Sequence, residues 1–345
     1  LIEYNVSDGA AREINPEIYS QTATGRVAAG IWPWKCKDAV FQYNEAFDTC
    51  QNQDGQAWDA DWGDGTVYQY NYSHNNGGGS VMVCGAQAVN TIFRYNISQN
   101  DLSGVLNLPG NPVAYIYNNV FYMKEGVPFI RASMTGGVAE VSNNIIYNAG
   151  AEKSENWDNN CRMTYRKNLY YNYSNVPAGD AAAVTADPKF ANAGSAPSST
   201  TGSIDALSAF EGYQIADDSP AVNAGIYIPK NGGQNFFGNP VGLTPDIGVH
   251  ETSVADLPVN GIFSDVYDIS GDLISNVPKD TGVSEFLSNL KHSDGVVLKL
   301  TNGDAEVTQG AVENGMVLQV TNLDGSVSHY RIFVLADYTE YSPEG

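Results

Sequence analysis

Basic residues are scarce in this sequence: 17 lysines and arginines stand against 39 aspartates and glutamates over 345 residues, a formal charge of −22. Such a chain lacks the electrostatic footprint for nucleic acid or an anionic membrane surface. A polyanionic substrate such as pectate, which calls for a basic cleft, is disfavoured on the same ground, and a neutral ligand is the easier match. Long apolar runs are missing too. No stretch approaches the roughly eighteen residues that a membrane-spanning helix needs, so membrane insertion is not expected. There is no HExxH, no P-loop and no GxSxG elbow, which removes the metalloprotease, nucleotide-hydrolase and serine-hydrolase templates. Only four cysteines occur, Cys36, Cys50, Cys84 and Cys161. They lack the CxxC spacing of zinc or redox sites. Three pairings are open to them in an oxidising compartment, and the reading adopted is reduced thiols packed as small hydrophobes.

What is present is a repeat. Charged residues make up only 16 %, while glycine (35) and tyrosine (21) are abundant, a balance typical of secreted all-β proteins. The segments Leu1-Ile-Glu-Tyr-Asn5, Val40-Phe-Gln-Tyr-Asn44, Val67-Tyr-Gln-Tyr-Asn71, Ile92-Phe-Arg-Tyr-Asn96, Ala114-Tyr-Ile-Tyr-Asn118 and Glu140-Val-Ser-Asn143 recur about every 25 residues, and Lys167-Asn168 continues them. A coil of that length, made of short strands and turns, predicts a parallel β-helix in which equivalent residues form columns. Phe41, Tyr68, Phe93 and Tyr115 are expected in one inward column, and Tyr43, Tyr70, Tyr95 and Tyr117 in another. The asparagines are expected as a ladder at a turn. The sequons at Asn5, Asn71 and Asn96 fall on that ladder and are read as structural. Residues 10–26 form a long insertion looping beside the stack, where binding sites are commonly built. Because Leu1 to Ser7 read as the middle of a repeat, the chain is expected to be a piece of a longer protein.

Beyond Tyr173 the repeat fades into a small-residue stretch, Ala178 to Ser203. Then come Asp187-Pro-Lys-Phe, Asp218-Ser-Pro-Ala-Val-Asn-Ala-Gly225 and Asp246-Ile-Gly-Val-His-Glu251. These signatures resemble the closing coils of bacterial right-handed parallel β-helix proteins of the pectin-lyase-like kind. The first domain is therefore expected over residues 1–252, and residues 253–345 as a small accessory mixed β module. In the module, Val283–Leu290 reads as a short helix, and Val296–Leu300, Met316–Thr321 and Tyr330–Leu335 as strands between Asn-Gly and Asp-Gly turns.

The chemistry concentrates in Asp54-Gly-Gln-Ala-Trp-Asp59-Ala-Asp61-Trp-Gly-Asp64-Gly65. Read as a strand, residues 56–62 put Asp59 and Asp61 on one exposed face and Trp58, Ala60 and Trp62 on the inward one. Four of the five tryptophans, Trp32, Trp34, Trp58 and Trp62, lie around these acids. Flat indoles beside carboxylates suit a sugar ring. Crowded acids also supply the split that glycoside hydrolysis needs, one carboxyl protonated and one ionised.

The same stretch, followed by Tyr70-Asn-Tyr-Ser-His74-Asn-Asn-Gly-Gly, resembles the catalytic coil of the β-helix lacto-N-biosidases of gut bacteria. The resemblance implies a retaining, two-aspartate glycoside hydrolase releasing lacto-N-biose from milk-type or mucin-type oligosaccharides. It implies Asp54 as acid/base and Asp61 as nucleophile, with a further N-terminal region on the same or a partner chain. The site is completed by Trp32, Trp34, Asp59, Asp64 and His74 as substrate-binding or tuning residues. A secreted or surface-attached bacterial location goes with it, and no cofactor is required. Calcium at Asp59-x-Asp61-x-x-Asp64-Gly stays an alternative, although the spacing departs from an EF-hand loop. Two other classes stay open: a β-helix polysaccharide lyase drawing its base from Lys35, Lys37, Arg94 or Arg131, and a non-catalytic glycan-binding adhesin.

Overall fold

The computed structural model of the chain describes residues 1–14, 17–18, 28–50, 54–131, 136–198, 206–252, 261–293, 295–323 and 325–335. Most of the insertion expected at residues 10–26 lies outside them. They form two compact units, one of residues 1–226 with 234–252 and one of residues 227–233 with 253–345.

The first unit is a parallel β-helix. Strands Ile2–Glu3, Val40–Gln42, Val67–Gln69, Thr91–Arg94, Val113–Tyr117, Val138–Ser142 and Arg162–Arg166 stack into one seven-stranded sheet. A second seven-stranded sheet follows around the corner, from Val6–Asp8 through Tyr72–His74 to Leu169–Tyr171. A third, of Gln56–Asp61, Gly79–Cys84 and Leu106–Asn107, closes the coil. Every pairing among these strands is parallel.

The corner between the first two sheets explains the repeat. The residue before each ladder asparagine takes a left-handed conformation: Tyr4, Tyr43, Tyr70, Tyr95, Asn118, Asn143 and Lys167 all have φ between 49° and 57°. That costs about 1–2 kcal/mol for a non-glycine residue. The asparagine after it offsets the cost. Asn71 donates its backbone N–H and its Nδ2 to Asn96 Oδ1 (2.9 and 3.0 Å) and Nδ2 again to Phe41 O (3.0 Å). The pattern repeats through Asn5, Asn44, Asn71, Asn96, Asn119, Asn144 and Asn168, and Asp180 Oδ2 accepts from the last rung. Asn71 and Asn96 are buried, consistent with a structural role for their sequons.

Two rungs differ from the expectation. The ladder residues there are Asn119 and Asn144, and Asn118 and Asn143 are the left-handed residues before them. Both positions read Asn-Asn, so spacing alone could not tell cap from corner. The slip carries Tyr115 and Tyr117 out of their columns, and Phe93 pairs with Ile116. The inward column is Phe41, Tyr68, Phe93, Ile116 and Val141, with Phe41 and Tyr68 stacked at 4.8 Å. The tyrosine column, by contrast, does not line the bore. Tyr70 and Tyr95 belong to a separate apolar cluster with Phe210, Tyr213, Phe236 and Val249, which later residues of the same unit form against the second sheet. The three closing signatures tie down that cover: Lys189 pairs with Asp218 (2.6 Å), Asp246 Oδ1 accepts from Asn223 N (2.7 Å), and Gly248 N reaches Asn143 O (2.7 Å).

The second unit is a six-stranded mixed sheet in the order Asp268–Ser270, Leu273–Val277, Val327–Val334, Val317–Thr321, Val297–Asn302, Ala305–Glu306. Its core gathers Tyr267, Ile274, Phe286 and Leu318 around the helix Val283–Ser288. Among the described residues no helix is long and apolar enough to cross a membrane.

Candidate active site

The acids stand on the third sheet. Strand Gln56–Asp61 lies between Gly79–Cys84 on one side and the rung of Ile31 and Trp34 on the other. Trp58 and Ala60 point into the core and are fully buried, and Tyr68 Oη holds the strand from inside by donating to Asp59 O (3.1 Å). Alternation then sends Asp59 and Asp61 outward, level with Met82 and Cys84 of the next rung. Asp54 enters from the preceding turn. Gly55 N donates to Ala28 O and Gly78 N to Gly55 O (both 2.8 Å). The chain runs so close that a Cβ at Gly78 would meet Asp54 O at 2.0 Å, which accounts for the glycine there.

The three carboxyls act on one another. Burial raises Asp54 above the usual carboxylate range, the Asp61 charge raises it further, and the Arg131 guanidinium opposes both. Arg131 Nη1 also donates to Asp54 O (3.1 Å) and Gly78 O (3.3 Å). Asp59, only 4 % exposed, is driven well above the range by burial and then by Asp61 and Asp54. Burial raises Asp61 as well, but a hydrogen bond from the Cys84 thiol and the charge of Lys35 pull it back. The thiol itself is pushed up to about 12 by burial and by the acids around it. Asp59 Oδ1, Asp61 Oδ1 and Asn107 Oδ1 are buried acceptors without a hydrogen-bond partner. Unpaired acceptors on neighbouring rungs of one sheet call for donors.

Exposed indoles flank the acids. Trp32, Trp34 and Trp62 are 48, 59 and 40 % exposed. Trp62 was expected to face inward, and it does not. The strand ends at Asp61, and Trp62 turns left-handed (φ 57°), so alternation stops one residue short. Its ring lies over Gly85, where a Cβ would approach it to 2.7 Å. The Lys35 ammonium sits 4.5 Å from the Trp34 ring centroid and 5.9 Å from that of Trp62.

Asp59 is likewise buried, contrary to the exposed face expected for it. Asp64 and His74 are not brought to the group. Asp64 sits at the next corner, where its Oδ1 accepts from Asn90 Nδ2 (2.9 Å). His74 is fully buried on the second sheet, stacked on Phe47 at 4.6 Å, with Nε2 3.1 Å from Glu45 Oε1 and Nδ1 3.2 Å from Asn75 Nδ2. Among the described residues no group of three or more His, Cys, Asp or Glu is arranged to hold a metal ion. Of the basic residues weighed for a lyase, Arg94 is engaged on the first sheet by Gln69 and Tyr117. No disulfide joins the four cysteines; Cys50 and Cys161 are packed as expected, whereas Cys36 is exposed. Sequence reasoning named Lys35 only as a candidate lyase base, and it missed Cys84 and Asn107 as residues level with the acids. Their signal was the rung register, which becomes available only once the coils are aligned.

The chain is thus a parallel β-helix protein with a coupled carboxyl cluster on one side. It resembles the lacto-N-biosidases: it is 44 % identical over 284 residues, 74 % of its length, to a lacto-N-biosidase of Bifidobacterium longum subsp. longum. It spans 18 % of that relative's length. The crystal structures of a GH136 lacto-N-biosidase from Eubacterium ramulus, native and selenomethionine forms, are each 55 % identical over 36 % of this chain and 19 % of theirs, with a TM-score of 0.33. No family model matches the chain.

Proposed function

We propose that this chain carries the catalytic coils of a retaining glycoside hydrolase, secreted or held at a bacterial surface. It acts on neutral oligosaccharides and releases lacto-N-biose from milk-type or mucin-type glycans. The observation that carries the reading is the set of three mutually coupled carboxyls, with unpaired buried oxygens, beside exposed indoles. The kinship to a lacto-N-biosidase over most of the chain supports the substrate class. Because the chain matches a small part of that relative, further regions, on the same chain or a partner, belong to the proposal.

Asp54 serves as general acid and Asp61 as nucleophile. Burial and the Asp61 charge both favour the protonated form of Asp54, so it can donate to the leaving oxygen as Asp61 attacks the anomeric carbon. Forming the glycosyl-enzyme removes the Asp61 charge. Asp54 then becomes more acidic, its proton already spent, and it accepts one from the water that opens the intermediate. Burial and the neighbouring acids favour the protonated form of Asp59, which limits the negative charge next to the nucleophile. Trp32, Trp34 and Trp62 offer stacking faces, and the unpaired oxygens accept from sugar hydroxyls.

The test is mass spectrometry of lacto-N-tetraose incubated with this chain and with Asp61→Asn. The expected outcome is disaccharide release by the first and a loss of at least about a thousandfold in rate by the second. Cleavage that survives Asp61→Asn overturns the assignment. Glycan binding without cleavage, equal in both proteins, would make the chain a binding module instead.

A further inference from the structure

Two cations reach the acid cluster, and each serves a different acid. Arg131 acts on Asp54 and also binds its backbone carbonyl. Lys35 acts on Asp61. Its backbone is tied there too: Lys35 N donates to Asp61 O (2.9 Å), and Trp34 forms a bridge with Asp61. Both Lys35 (φ 55°) and Trp62 (φ 57°) hold left-handed conformations that L residues avoid, a strain found where the surroundings over-determine a site. The result brings the two indoles to the ammonium, 4.5 and 5.9 Å away. A lysine side chain is ordinarily a mobile surface group, and two aromatic faces restrict this one.

We propose that Lys35, clamped between Trp34 and Trp62, is a positioning residue whose ammonium keeps Asp61 ionised inside a cluster of carboxyls. Asp59 on its own strand, Asp54 at the turn before it and the Cys84 thiol on the next rung are the other titratable groups facing Asp61. Burial favours the protonated, inert form of Asp61. The Cys84 thiol also favours the ionised form through its hydrogen bond, but it brings no charge, and the positive charge comes from Lys35. Removing it must raise the pH at which Asp61 ionises. The catalytic consequence rests on the reading of Asp61 as nucleophile, whereas the ionisation itself does not.

The experiment is a carbon-13 NMR titration of the aspartate carboxyls in the whole chain, with the Asp61 signal assigned by its loss in Asp61→Asn. Lys35→Met keeps an apolar stem against the indoles, Lys35→Gln serves as a second neutral variant, and Lys35→Arg restores the charge. The neutral variants are expected to raise the Asp61 midpoint by about one pH unit while Asp54 moves less, and the arginine variant to return it. The acid limb of kcat/KM is expected to move up by the same amount. A midpoint within about 0.2 units of wild type in folded neutral variants overturns the inference, since the Lys35 charge would then have no hold on Asp61. It would leave the hydrolase reading untouched. Cleavage surviving in Asp61→Asn would sink that reading and leave the titration standing.

Discussion

At the scale of the residue, the carboxyls differ because their surroundings differ. Asp59 and Asp61 are two residues apart on one strand, yet one is nearly sealed and the other reaches Lys35 and Cys84. The thiol reports on the same environment. A thiol pushed up to about 12 is ionised in only about one molecule in ten thousand at pH 8. Cys36, two rungs away, is exposed. Iodoacetamide at that pH is therefore expected to label Cys36 well before Cys84, read by peptide mass spectrometry. Equal labelling would mean that the acids do not crowd Cys84 as described.

At the scale of the element, the asparagine ladder is what converts a loose repeat into a stack. An internal rung such as Asn96 donates to Tyr68 O, Arg94 O and Asn119 Oδ1, and accepts from Asn71. Asn96→Ala strands several buried partners, at about 1–3 kcal/mol each when left unsatisfied. A loss of roughly 2–4 kcal/mol is expected from the denaturant midpoint, against less than about 1 kcal/mol for Asn5→Ala at the exposed end of the row. Equal losses would show that the ladder adds nothing beyond local capping. A second, shorter ladder lies at the next corner, where Asn76 accepts from Thr49 N and donates to the buried Asp101, itself held by Ser73 and Ser98. Thr49, Asn76 and Asp101 keep the steps of 27 and 25 residues seen in the first ladder, but they share no residue type, so no recurring motif marks them.

At the scale of the whole molecule, acid is expected to stabilise. Glu251, buried beside Asp246 where the cover closes, is raised from 4.5 to about 9. Across that window the folded state keeps a proton that the unfolded state has lost. Stability contributed by protonated Glu251 is thus full below about pH 4.5 and falls as pH rises towards 9, by at most about 1.4 kcal/mol per pH unit. Asp59 has the same sign, and the net charge of −22 adds self-repulsion at neutral pH. The melting temperature is expected to fall between about pH 5 and pH 8, and to fall less in Glu251→Gln. Parallel curves for the two proteins would rule Glu251 out as the source.

The amino-acid order by itself determined the β-helix, because a rung must reuse the same turn chemistry each time the chain comes round. Tyr-Asn corners, apolar inward positions and closing signatures were therefore legible at a period of about 25 residues. It also marked the strand of Asp59 and Asp61, since alternation is local. Only the tertiary structure decided register, burial and company. Asn118 or Asn119 could cap the corner until the neighbouring rungs were paired. Trp62 leaves the strand through one backbone torsion that no pattern announces. His74, close to the acids along the chain, ends on a different sheet, whereas Lys35 and Cys84, distant along it, flank Asp61. The reason is geometric: a coil of the helix separates sequence neighbours around its perimeter and brings together residues a full turn apart.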